Sequence, residues 1–241
     1  MSHFKAFAAL LAFVACFAAA SDATAGFIWK MDDNAGNTVT LFDGDADGVI
    51  TFAGSVGSFT VSGTALSKPN VGGPGLGQMG FEPLRVTTTD AVAAPLTIQL
   101  TDTDFPDTSA GRDRVFMFGQ ISNGSVTGSG YFDPANLEFG TGGLYIPMGT
   151  FTAPPNPTLI DFNSGWIPFD YGPVPYSITL QLQVEATGAL DLNFRSIFAQ
   201  QVPEPSTVLL ALIGVVVLGG GRIAKSYRKD RQRYSDGVTE S

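Results

Sequence analysis

Cysteine and histidine are nearly missing from the chain: 241 residues hold one of each, Cys16 and His3, both inside the first 25 positions. Basic residues are scarce too. Between residues 26 and 201 there are 6 Lys and Arg against 17 Asp and Glu, a net of −11. That region also lacks any sustained helical period of apolar residues. Each shortage excludes something. Once the leading segment is removed, the body has neither thiol nor imidazole. Disulfides, thiolate nucleophiles, Cys or His metal sites and imidazole-based triads are therefore ruled out together. The acid excess repels phosphate backbones, so nucleic acid is excluded as a partner.

What is present at the front has the order of a secretory signal peptide over residues 1–25. Lys5 precedes an apolar run from Ala6 to Ala20, and Ala23 and Ala25 form a small-x-small cleavage site before Gly26. An uncleaved anchor is the competing reading, but that run is thin against the roughly 20 residues a bilayer core requires. A lipoprotein signal at Cys16 is a further alternative, with the bulky Phe13 against it. Export through the Sec machinery is the expectation.

At the back, Val202, Pro203, Glu204, Pro205 and Ser206 stand before a stretch from Ser206 to Gly221 that has no charged residue. As a helix that stretch is about 24 Å long, and Ile223 and Ala224 extend it to a transmembrane helix over 206–224. Arg222, Lys225, Arg228, Lys229, Arg231 and Arg233 follow, so residues 225–241 are expected on the cytoplasmic side and the body outside. Each proline forces its predecessor toward extended backbone, which makes the triplet a stiff acidic strip at the outer membrane surface. An ordinary single-pass anchor behind a proline linker would share these features.

The order of triplet, short apolar helix and basic stop over residues 201–241 resembles the PEP-CTERM sorting tail of Gram-negative bacteria, also named an ice-binding protein C-terminal domain. The resemblance implies an exosortase as processing partner. It also implies a single-pass inner-membrane intermediate and a final place at the cell surface or outside the cell.

The body, residues 26–200, reads as strands. Ile178, Leu180, Leu182 and Val184 alternate with polar residues, as do Leu190, Leu192 and Phe194 after Thr187-Gly188, which suggests a hairpin. A second hairpin is expected around Asn123-Gly124. Asn123-Gly124-Ser125 also matches a glycosylation sequon, though the turn is the simpler reading. Shorter strands are expected at Thr38–Phe42, Val49–Ala53, Ser58–Ser62 and Leu96–Thr101. Seven prolines between Pro147 and Pro175 mark that region as edge and loop. The fold class is all-β, a single jelly-roll-like β-sandwich. Residues 30 to 105, through GVITFAGSVGSF and PLTIQLTDTDF, also resemble a recurrent passenger domain of PEP-CTERM proteins, which implies architecture without an activity.

Four groups of residues could carry chemistry. Asp43, Asp45 and Asp47 alternate before Gly48, and the Val49 carbonyl could complete an oxygen-rich calcium loop. The twelfth position is Gly54 instead of a bidentate Glu, so a solvated hairpin turn is the competing reading. Asp102, Asp104 and Asp107, near Arg112, Asp113 and Arg114, read as a polar loop end with surface ion pairs, or as carboxylates of a glycosidase. Trp166 and Tyr171, with Phe169 and Tyr176, offer a stacking platform for sugar rings, or are buried edge aromatics. The isolated pairs Thr38/Thr40 and Thr101/Thr103 fall short of the regular array that ice binding needs.

The leading expectation is a non-catalytic exported protein of the surface or extracellular matrix. It needs no cofactor, calcium being the one ion it could hold, and the PEP-CTERM resemblance implies exopolysaccharide as its candidate partner. The alternative is a carbohydrate-binding module, and a carboxylate-based glycoside hydrolase is weaker still.

Overall fold

The computed structural model describes residues 26–68, 77–91, 93–105, 111–169 and 175–201. The expected signal peptide with Ala23 and Ala25, the sorting residues Val202 to Ser206, the transmembrane helix and Tyr171 all lie outside the described residues. Among the described residues there is no helix. The strands are β1 (Ile28–Asp32), β2 (Thr38–Phe42), β3 (Val49–Val56), β4 (Phe59–Leu66), β5 (Gln78–Thr88) and β6 (Leu96–Phe105). They continue with β7 (Gly111–Asp133), β8 (Tyr145–Ala153), β9 (Thr158–Asn163), β10 (Ile167–Phe169) and β11 (Tyr176–Gln201).

Alternation of apolar and polar residues builds these strands, because a period of two puts one set of side chains on a single face. The four short strands expected from the sequence are present as β2, β3, β4 and β6. The two expected hairpins are not. SITLQLQVEATGALDLNF belongs to the continuous β11, and VFMFGQISNGSVTGSGYF to the continuous β7. The two strands run antiparallel to each other from Ser177↔Asp133 to Gln201↔Arg112.

The turn residues have a different task. Ladder pairing stops at Ala186↔Gly124 and resumes at Asp191↔Ser122, leaving residues 187–190 of β11 opposite Asn123 alone. Asn123 has φ +53° and donates from Nδ2 to the Ala189 carbonyl at 2.8 Å. Across this bulge β7 changes phase: its inward residues are Val115, Met117 and Ile121 before it, and Gly124, Val126 and Phe132 after it. A bulge bends a strand and adds twist. Two facing turn signals thus crease a paired ribbon.

On one side of the crease, the first half of β11 pairs β6 and the second half of β7 pairs β8, giving a layer ordered β2-β1-β6-β11-β7-β8. On the other side, the second half of β11 pairs β5 and the first half of β7 pairs β9 and β10, giving β3-β4-β5-β11-β7-β9. The layers face each other. Trp29 of β1 meets Phe81 of β5 edge-on at 5.2 Å and Phe52 of β3 at 6.0 Å. A Cβ on Gly130 would lie 2.9 Å from Val115, a residue of the same strand in the opposite layer, so only glycine fits there without displacement. The all-β sandwich is therefore one ribbon folded over a shared core that includes Trp29, Phe81, Leu100, Ile178 and Phe198. Strands β8, β9 and β10, which lie in or overlap the proline-containing region 147–175, pair among the described residues only with β7, the edge position expected for that region.

Candidate functional site

The acidic loop spans the gap between β2 and β3. Asp43 Oδ2 accepts the Gly48 N–H at 2.8 Å, and Asp47 Oδ1 accepts the Val49 N–H at 2.8 Å. Gly48 has φ +78°, and a Cβ there would meet the Lys68 and Ser67 carbonyl oxygens at 2.5 and 2.6 Å, which reserves the position for glycine. The loop draws one carboxylate oxygen from each of Asp43, Asp45 and Asp47 within 4.8 Å of one another. Val49, the other expected ligand, donates its N–H to Asp47 and opens β3 directly behind the cluster. Asp43 Oδ1 is buried and has no hydrogen-bond partner among the described residues. Burial pushes the Asp43 carboxyl above its usual 3.8, the Gly48 N–H opposes this, and Asp45 and Asp47 add to the rise.

The second acidic group differs from its expected form as a surface loop. Asp102 and Asp113 are buried. Asp102 accepts a short hydrogen bond from the Ser67 hydroxyl, and the Lys68 ammonium stands 3.9 Å from its other oxygen. Lys68 also donates to the Thr103 carbonyl and lies 4.3 Å from the centre of the Phe105 ring. Burial raises the Asp102 carboxyl, with Lys68 and Ser67 opposing. The same burial lowers the Lys68 ammonium, with Asp102 and Asp104 opposing. Asp104 is exposed and exchanges two hydrogen bonds with Asn136, at 2.8 and 2.7 Å. Asp107 lies outside the described residues.

Of the expected aromatic platform, Tyr171 lies outside the described residues. Tyr176 is a core residue, stacked on Phe105 at 5.5 Å and 4.4 Å from Phe132. Trp166 is 39% exposed, and the Arg114 guanidinium lies 4.7 Å from its ring centre, so one face of the indole is already occupied.

Sequence reasoning passed over the outer face of the second layer. There a cavity of about 450 Å³ is lined by Phe118, Gln120, Leu159, Asn193, Arg195 and Pro83. A second, of about 290 Å³, shares Gln120 and Asn193 and reaches Arg85 and Asp191. The one available signal was VFMF, where Val115 and Met117 face inward and Phe118 must therefore face out. Phe118 is 57% exposed and Leu159 64%.

A profile of the PEP-CTERM protein-sorting motif matches residues 201–229. No curated protein matches the chain. Among solved structures, the enzymatically active domain of tailspike protein 4 from bacteriophage CBA120 is similar at 13% identity and TM-score 0.32. That match covers 60% of this chain and 20% of the tailspike. The C-terminal CBM6 of LamC, a marine laminarinase from Zobellia galactanivorans, is similar at 10% identity and TM-score 0.23, over 62% and 98% of the two chains. A PA14 sugar-binding domain from an RTX adhesin is similar at 11% identity and TM-score 0.27, over 72% and 90%. Likeness this low leaves function to be argued from the chain's own residues.

Proposed function

Because the chain carries the PEP-CTERM sorting motif at residues 201–229, we propose that it is an exported surface or matrix protein whose β-sandwich binds instead of catalysing. In this reading the signal peptide ends at Ala25, residues 206–224 cross the inner membrane once, and an exosortase acts at Val202 to Ser206. One observation carries the reading: the matched motif begins at residue 201, where β11 ends. Processing after Gln201 would leave that central strand whole. A hydrolase would need two carboxylates flanking an open site. Asp102, the innermost acid of its group, is instead fully buried against Ser67 and Lys68. Mass spectrometry of the exported form tests the reading. A C-terminus between Pro203 and Ser206 is expected, whereas a cytosolic chain intact from Met1 to Ser241 would sink it.

Calcium at the Asp43 loop is a second reading, favoured by the buried Asp43 Oδ1 that has no hydrogen-bond partner among the described residues. A hard cation takes oxygen ligands of this kind, and extracellular sites hold calcium at about 0.1–1 mM. The ion would tie the loop to the sandwich without taking part in any reaction.

A further inference from the structure

We propose that the outer face of the second layer binds a neutral polysaccharide chain, laid across the strands over Phe118. This rests on the reading of the body as an extracellular binding module, and it names the site. The register builds the surface. Leu159 of β9 pairs Gln120 of β7, Gln120 pairs Asn193 of β11, and Asn193 pairs Arg85 of β5. One step along the strands, Asp161, Phe118 and Arg195 form a parallel row. All of these side chains are exposed.

The chemistry of the rows suits a sugar. A pyranose presents an apolar C–H face and a rim of hydroxyls. Phe118, Leu159 and Pro83 supply apolar surface, while the amides of Gln120 and Asn193 can both donate to and accept from hydroxyls. The cavity of about 450 Å³ falls in the ordinary range of ligand sites, about 300–1,000 Å³. The neighbouring cavity shares both amides, which extends the surface beyond one sugar unit.

Charge selects a neutral polymer. The groove's cations are paired within the sheet, Arg85 to Asp191 through two hydrogen bonds of 3.2 and 3.0 Å and Arg195 to Glu82 at 2.9 Å. No spare cation of the groove is left for a polyanion, and the body's net of −11 repels one. The opposite outer face is different: residues 134–144 close over it. Ser177 donates to the Leu137 carbonyl at 2.7 Å, and the Phe139 N–H donates to Thr101 at 3.1 Å.

The test is native electrophoresis of the exported protein through gels cast with β-glucan, galactan, xylan or galactomannan, with alginate as the polyanionic control. Retardation is expected in at least one neutral gel and not in alginate. Phe118→Ala should weaken it about tenfold, as should the double variant Gln120→Ala/Asn193→Ala, while Trp166→Ala leaves it unchanged. These residues are exposed, so the variants should melt like the parent. No retardation in any neutral gel, retardation only in alginate, or retardation indifferent to Phe118 and the amides would each overturn the proposal. The C-terminal mass of the same preparation reports separately on export and processing.

Discussion

Two groups of aspartates touch the same stretch of backbone and meet opposite conditions. Gly48 closes the Asp43 loop against the carbonyls of Ser67 and Lys68, and those two residues hold Asp102. Asp102 has its hydroxyl and ammonium supplied by the protein. Asp43 has a backbone N–H on one oxygen, nothing on the other, and two further carboxylates beside it. Burial raises both carboxyls. Each acid keeps one buried oxygen without a hydrogen bond among the described residues; that of Asp102 faces the Lys68 ammonium, whereas that of Asp43 stands beside two further acids, a setting that a cation from outside would suit.

Removing Asp102 should give the largest effect and sharpen the contrast. Asp102→Ala leaves Ser67 without its acceptor and Lys68 without its counter-charge, which should cost about 3 kcal/mol in urea unfolding. Asp102→Asn also takes the counter-charge from Lys68, which is partly exposed, but it keeps the shape and an oxygen for Ser67, so its loss should be smaller, about 1 kcal/mol. Equal losses in the two variants would mean that the carboxylate charge itself holds the site together.

The pH dependence follows from the direction of the shift. The folded state raises the Asp102 carboxyl above 3.8, so its contribution is full below that value and is lost as pH rises through the folded value. Lys68, lowered from 10.5, contributes fully above that value and loses its contribution as pH falls through its own folded value. As pH rises above 3.8 the parent should therefore lose stability relative to Asp102→Asn. Urea midpoints of the pair across that range check it, and parallel profiles would break the assignment.

The difference between the sites also shows what sequence could reveal. Asp43, Asp45 and Asp47 share one tight loop, so their spacing alone announces them. The partners of Asp102 come from Ser67 and Lys68 on another strand's end, and nothing local in TDTDF announces them; the acid was expected at the surface and is buried. The strands were legible because alternation is local, as in β2 and β6. The crease was not. Asn-Gly and Thr-Gly permit the same backbone in a hairpin turn and in a bulge, and only their position opposite each other across β7 and β11 decides. Trp166 was visible as an aromatic, but the guanidinium over it comes from β7. The groove over Phe118 depends on β5, β7, β9 and β11 meeting, which no single segment encodes.

Calcium should separate the two sites by a smaller margin. With 10 mM ion and binding near 1 mM, mass action adds about 1.4 kcal/mol, or about 4 °C in melting temperature for a domain of this size. Asp43→Asn should abolish that gain, and Asp102→Asn should leave it intact. A melt unchanged between calcium and chelator would reduce the loop to a solvated turn.

The smallest effect falls on the rim of the loop. Asp45 and Asp47 are exposed; Asp45 raises the Asp43 carboxyl first through a side-chain hydrogen bond, and both acids add repulsion that salt screens. Asp45→Asn in chelator should therefore gain a few tenths of a kcal/mol, and that gain should shrink as salt is raised. In calcium the same substitution removes a charged ligand and should lower the melting temperature instead. The change of sign is the discriminating result: Asp45 opposes its neighbours when alone and joins them around an ion. A turn with no ion would give the same small gain in both buffers, and differential scanning calorimetry of the one variant in each buffer is enough to tell.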